Sequence, residues 1–449
     1  MKEEDGVIEA ATHSSDLPSP EIKPSGFQKT SPEFDTEYIE HLTRLSSDIS
    51  RSHQKYLGTQ ETLTRNMSRI LALQAGFPPN TVFIDKKPDP IFTTEQIEAF
   101  TVGDPRVCFG DLFAGFEGQR IPRLPNGPLR YIDRVYQIDG TEGVVLNSSS
   151  LFSEVDIPPH NWYLPGDEEI LPYVSIMEIA LQPCGFLSAY MGSIKDKSGV
   201  DLYFRNLDGE ATLADWPKIT NSTITNRVEL ISSTTLQDVI IQEYLFELFC
   251  EGKSFFQGKS SFGYFTKQML NNQSGLDGTK TISQWIESNP DSGEWETKTE
   301  NGLTKNDPET PHLPEISQVW ISKSGGIHGQ GYLFTNLEIP TNSWFYKAHF
   351  YQDPVMPGSL GVEAMVRTIM QSSTNWGIPQ STRWRIIPGK TTNWKYRGQI
   401  TKNTAQVTLE IHIKKIITGN NGWQIIADGH LWKGKTRIYQ IDNIALETY

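Results

Sequence analysis

Cysteine is scarce. Cys108, Cys184 and Cys250 are odd in number and far apart, with no CxxC pair and no Cys/His cluster, so neither a disulfide framework nor a structural zinc is expected. Reduced thiols point to a reducing, cytoplasmic compartment. Basic residues are also in deficit: 40 Lys and Arg against 54 Asp and Glu leave a net charge of −14, which argues against a broad cationic face for nucleic acid. No uninterrupted apolar run reaches membrane length. The longest, 174–192, contains Glu178, Gln182 and Pro183 and reads as a buried helix, so no membrane span is expected. The opening MKEEDGVIEAATHSS is polar and acidic, unlike a signal peptide. The Gly-rich stretch around His328 lacks the Lys-Ser/Thr of a phosphate loop and reads as a strand turn, and there is no G-x-S-x-G nucleophile elbow. His312, His328, His412 and His430 lack metal spacing and read as surface or hairpin residues.

What remains is a soluble globular composition, 37% hydrophobic and 11% aromatic, long enough at 449 residues for two or three domains. Residues 1–34, with Pro18, Pro20, Pro24 and Pro32 among Ser and charge, read as a disordered tail. Residues 35–101 read as a helical arm and linker: 35–75 lack proline and carry Tyr38, Leu42, Leu45, Ile49, Tyr56, Leu63, Met67 and Ile70 near helical spacing, and prolines follow. Two β-rich regions come next, 102–281 and 315–449, each with one apolar helix, joined by a polar linker at 282–314. Strands are expected at 130–139, 143–146, 226–232, 237–250 and 258–266, then at 318–322, 331–337, 405–418, 423–433 and 437–441.

The two regions are copies. LFSEVDIPPHNW from Leu151 aligns without gaps with LFTNLEIPTNSW from Leu333, at an offset of 182 residues. Further on the offset becomes 185, pairing Pro172 with Pro357 and Glu178 with Glu363. One helix with one antiparallel sheet per copy defines an α+β pseudo-dimer.

The chemistry centres on HFYQDPVMPGSLGVEAM, from His349 to Met365. Pro357 and Gly358 signal a helix entry, Ser359 reads as its N-cap, and Leu360, Val362, Met365, Val366 and Ile369 recur at helical spacing. An imidazole and a carboxyl together suit proton removal beside a carbonyl with protonation of a leaving hydroxyl, and His349 with Glu363 is the local candidate pair. A backbone N–H near Gly358 could hold the enolate oxygen. Asp353 reads as a residue that ties the turn.

This stretch resembles the active-site signature HF-x-x-DPVMPG-x-LG-x-(D/E)-A-M of the β-hydroxydecanoyl-acyl-carrier-protein dehydratase family, with Glu363 where that family has Asp. The first copy, around YVSIMEIALQPCGFLSAYMGS, is similar to the degenerate half of tandem dehydratase modules in polyunsaturated fatty acid synthases, polyketide synthases and heterocyst glycolipid synthases. The resemblance implies a tandem hot-dog, two long central helices each wrapped by an antiparallel sheet, with the helical arm ahead of it. It also implies that each site takes its His from one hot-dog and its acid from the other.

At the His349 position the first copy has Leu164 or Asp167, depending on the offset, while only the first copy keeps the family's acid-x-x-x-Gln as Glu178 and Gln182; the second has Glu363 and Arg367. The site implied is therefore His349 as base and Glu178 as acid, with Gln182 orienting and Gly358 as oxyanion donor. Asp353, Pro357 and Glu363 fall to structural or secondary roles. The reaction implied is dehydration of a β-hydroxyacyl thioester to the trans-2-enoyl thioester, with double-bond isomerisation left open and no metal or cofactor. The implied partners are an acyl carrier protein bearing a phosphopantetheine-linked chain and other synthase subunits, and the arm is compatible with a homodimer. A hot-dog thioesterase or hydratase, or a silent acyl-binding scaffold, are the alternatives.

Overall fold

The computed structural model describes residues 44, 89–159, 161–164, 170–297, 307–419 and 422–449. The chain divides into 1–33 and 34–449, and every described residue lies in the second unit. Apart from Arg44, the helical arm expected at 35–75 lies outside them, as do His160 and Asp167.

The first copy forms β1 (Arg134–Asp139), β2 (Ser150–Asp156), β3 (Leu202–Leu213), β4 (Thr223–Leu236), β5 (Val239–Cys250) and β6 (Lys253–Thr266). The linker contributes β7 (Glu294–Thr297). The second copy forms β8 (Gln318–Ser322), β9 (Tyr332–Glu338), β10 (Trp384–Ile386), β11 (Thr391–Tyr396), β12 (Gln406–Gly419), β13 (Gly422–Lys433) and β14 (Thr436–Thr448). All join one antiparallel sheet in the order β1-β2-β4-β5-β6-β3-β11-β14-β13-β12-β9-β8-β7, with β10 pairing β14 off this path. Read outward from the middle, β3-β6-β5-β4-β2-β1 and β11-β14-β13-β12-β9-β8 are the same arrangement twice. The repeat seen in the sequence is thus a repeat of fold, and the two copies meet where β3 pairs with β11, Thr391 opposite Thr212 and Lys395 opposite Asp208. Gly209 makes that seam close: a Cβ there would overlap the Trp394 ring lying across it.

Each sheet wraps one long helix, and the two helices pack on each other. The first central helix, Tyr173–Tyr190, is apolar nearly all round, and only Leu181, Gly185 and Tyr190 escape full burial. Such a helix needs cover on every side, which the sheet and its partner helix supply. Pro183 sits within it without ending it. The second, Gly358–Ser372, keeps Arg367, Met370 and Gln371 on its partly open face. This is the tandem hot-dog.

Several expectations change. β1 begins at Arg134 rather than 130, and 143–146 is not a strand but an exposed loop, entered through Gly143 at φ +71. Four apolar residues without a pairing partner do not make a strand. Linker residues are structured too, with a helix at Trp285–Ser288 and β7 paired to β8. The stretch read as the end of the arm holds a helix, Thr94–Thr101, started by a capping box from Thr93 and Gln96. Its Phe100 packs on Phe109, with ring centroids 4.9 Å apart, and Phe109 on Phe186 of the first central helix at 5.1 Å. Residues 89–125 therefore cap the first hot-dog.

Candidate active site

His349 closes the short helical turn Phe345–Ala348, and the loop after it returns to the second central helix. Its Nδ1 lies 3.0 Å from the carbonyl oxygen of Val355. A carbonyl only accepts, so Nδ1 carries the proton and Nε2 keeps its lone pair. Two clamps from the first copy fix this loop. Arg205 of β3 donates through both Nη atoms to the Asp353 carboxylate, each at 2.7 Å, and Asn126 donates its backbone N–H to the Ala348 carbonyl at 2.9 Å. Asp353 thus ties the loop, but to the other copy.

Glu178 lies on the first central helix, one turn before Gln182. Gln182 donates from Nε2 to Glu178 Oε2 at 2.9 Å and to the Leu129 carbonyl at 2.7 Å, while its Oε1 accepts from the Tyr131 N–H at 2.9 Å. The amide is held at both ends and cannot rotate, which fixes one carboxyl oxygen. The other, Oε1, accepts from the hydroxyl of Ser359. This corrects the cap reading of Ser359. Pro357, extended at φ −56 and ψ 134, precedes the helix with no side-chain cap, and Ser359, already inside the first turn, spends its hydroxyl on the acid of the other copy. Gly358, at the helix entry, presents a backbone N–H of the kind that has no partner within the helix. Its lack of a side chain is required, because a Cβ would lie 2.8 Å from Cζ of Tyr396.

His349, Glu178, Gln182, Gly358 and Ser359 line one cavity of about 1090 Å³, measured out to its mouth. Apolar walls come from Phe113 of the capping segment and from Leu181, Ile194 and Phe262. Pro357 and Glu363 do not line it. Glu363 is buried, and one of its oxygens accepts from the Val174 N–H at 3.4 Å. The cavity therefore brings His349 together with the acid of the other copy, not with the acid of its own copy.

Burial pushes the His349 imidazole down to about 3, with the nearby Arg205 charge adding to the effect. Burial pushes the Glu178 carboxyl up, against the opposing pull of the Gln182 and Ser359 hydrogen bonds. A neutral imidazole thus faces the same space as a carboxyl biased toward its protonated form.

Ser359 and Arg205 escaped the sequence reading as site residues. Ser359 was visible in the signature yet explained away by its position, and Arg205 sits in a strand that was not foreseen. His412 and His430, read as surface or hairpin residues, are buried beside Glu410, the ligand atoms of the three all within 4.8 Å of one another. Glu410 accepts from the Trp285 N–H, the Tyr332 hydroxyl and the Trp432 indole N–H. His412 Nδ1 accepts from the Ile327 N–H and His430 Nε2 faces an Arg437 Nη1 donor, so each imidazole turns an N–H toward Glu410 rather than a lone pair. This arrangement anchors the linker helix to the second copy; burial works to raise the Glu410 carboxyl, and the His412, His430 and Trp285 N–H groups outweigh it and hold the carboxylate well below its usual range.

Fold and site define a tandem hot-dog with an imidazole and an acid meeting in a shared cavity. Residues 308–442, the copy that carries His349, match the FabA-like domain. One of the polyunsaturated fatty acid synthase polypeptides of a Thraustochytrium species is 28% identical over 401 residues, 82% of this chain but 27% of that relative, so the chain spans about a quarter of its length. Among solved structures, the dehydratase domain from the CurF module of curacin polyketide synthase is 12% identical, with a TM-score of 0.37 over 70% of this chain and 97% of that one. The 12:0-ACP thioesterase from Umbellularia californica is 10% identical, with a TM-score of 0.37 over 66% and 97%.

Proposed function

We propose that the chain dehydrates a β-hydroxyacyl thioester, carried by an acyl carrier protein, to the trans-2-enoyl thioester within a fatty acid or polyketide-type synthase. The observation that carries this reading is the shared cavity, in which a neutral imidazole and a carboxyl biased toward protonation come from different copies. His349 Nε2 takes the α-proton, and the electron pair of that C–H bond moves toward the carbonyl oxygen, which the Gly358 N–H holds. As the α,β double bond forms, the β-carbon–oxygen bond breaks, and Glu178 gives its proton to the departing hydroxyl, which leaves as water. His349 then returns its proton and Glu178 regains one through solvent, which restores both groups. Gln182 and Ser359 hold the Glu178 carboxyl in place throughout. The apolar walls suit an acyl chain, and synthase partners would supply it on their carrier domains.

The test is to incubate the protein with a 3-hydroxyacyl thioester and follow enoyl formation and free thiol separately. Enoyl product without thiol release is expected. Thiol release without enoyl product would make it a thioesterase and overturn the reading.

A further inference from the structure

We propose that Tyr396 is a further catalytic residue of this site, its hydroxyl donating a hydrogen bond to the carbonyl oxygen of the bound thioester beside the Gly358 N–H. The inference rests on the reading of the cavity given above and adds to it a group that neither the signature nor the repeat indicates.

Tyr396 ends β11, and its ring meets Tyr439 edge-on with centroids 4.6 Å apart. It lines the cavity, yet its buried hydroxyl has no hydrogen-bond partner among the described residues. Of the buried side-chain atoms in that condition, only Tyr396 Oη and Arg123 Nε belong to residues lining the cavity, and Arg123 is committed through Nη1 to the Phe100 and Gly103 carbonyls of the capping segment. A buried hydroxyl without a partner is costly to keep, which points to a partner supplied from outside the chain.

The position of the hydroxyl indicates which atom of the substrate it meets. The place a Gly358 Cβ would take lies 3.2 Å from Tyr396 Oη, so the phenol overhangs the helix entry at which the carbonyl oxygen is held. The ring stays protonated, since burial holds its pKa well above the ordinary tyrosine value, and it can therefore only gain by donating to an oxygen that is becoming negative. The other copy lacks the group. Arg205 and Arg397 occupy like positions, each donating from Nη1 to the carbonyl of the residue before it at 2.9 Å, and those preceding residues are Phe204 and Tyr396. The hydroxyl thus belongs to the strand of the copy that supplies His349 and Gly358.

Tyr396→Phe tests this directly, because the ring contact survives and no protein hydrogen bond is lost. The melting temperature should be equal to or higher than wild type, while kcat for enoyl formation should fall on the order of 10² with little change in KM. The isotope-edited carbonyl stretch of a bound trans-2-enoyl thioester should lie below its solution frequency in wild type and return part of the way in the variant. That band reads the contact without turnover, so an inactive wild type would remove the proposed reaction while the band still decides the hydrogen bond. Turnover within twofold of wild type, an unchanged band, or a fall in kcat accompanied by a lower melting temperature would each overturn the assignment.

Discussion

The two copies share a fold and keep a glutamate at the acid position, Glu178 and Glu363, but differ at the positions around it. At the helix entries, offset by 185 residues, Gly358 and Ser359 of the second copy face Tyr173 and Val174 of the first, and Glu178 and Gln182 face Glu363 and Arg367. Where the second copy leaves a glycine, and with it an exposed N–H and room for a ligand, the first carries a large buried ring. Where Glu178 receives a hydroxyl and a locked amide, Glu363 has the Val174 backbone N–H at 3.4 Å. The His349 position is Leu164 under the same offset, and that leucine is buried. One cavity thus gathers His349, Glu178, Gln182, Gly358 and Ser359, while the matching positions Leu164, Tyr173 and Val174 of the first copy are buried in core.

The largest effect that would test this division is at the base. His349→Ala should reduce enoyl formation on the order of 10²–10⁴, the usual contribution of a positioned general base, with substrate binding retained. A loss under tenfold in steady-state assays would mean that another group takes the proton. Next come the helix entries. Gly358→Ala drives a methyl into Tyr396 and should lower kcat on the order of 10². Tyr173→Ala should instead leave kcat within a few-fold and cost about 2–5 kcal/mol of stability by denaturant titration, since it empties core. If Tyr173→Ala costs rate and Gly358→Ala does not, the assignment of the two positions is reversed.

The smallest effects are in pH. Because the His349 pKa is depressed and the Glu178 pKa raised, kcat/KM should show no acid limb near the ordinary imidazole value of 6.5 and should fall as pH rises through the Glu178 value. Stability has its own sign. Between 6.5 and about 3 the unfolded chain protonates His349 while the folded chain does not, so unfolding is favoured as pH falls through that window. Denaturation midpoints of His349→Ala should lose part of that slope, and an unchanged slope would contradict the burial assigned to the ring.

Much of this was legible before any coordinates. The central helices declare themselves by apolar spacing, and the family resemblance, together with the histidine missing from the first copy, implies a pairing of His349 with the acid of the other copy. The seam was not legible. β3 (LYFRNLDGEATL) is mostly half-buried and mixes charge with aromatics, and β11 (TTNWKY) is only six residues long, with Thr392, Trp394 and Tyr396 on its buried face; the two pair with each other across the copies. The sequence does not encode such a pairing locally, and Arg205 and Tyr396, which the seam strands carry to the cavity along with Phe204 and Asn206, were hidden with it. The cluster of Glu410, His412 and His430 was missed for a similar reason, since its members satisfy one another across β12 and β13 and show no spacing along the chain.

The central claim is that the reacting acid comes from the first copy. The most direct measurement compares enoyl formation by Glu178→Gln and Glu363→Gln under saturating 3-hydroxyacyl thioester. The account predicts a loss on the order of 10²–10⁴ for Glu178→Gln and activity within a few-fold of wild type for Glu363→Gln. Full activity in Glu178→Gln with loss in Glu363→Gln would contradict it.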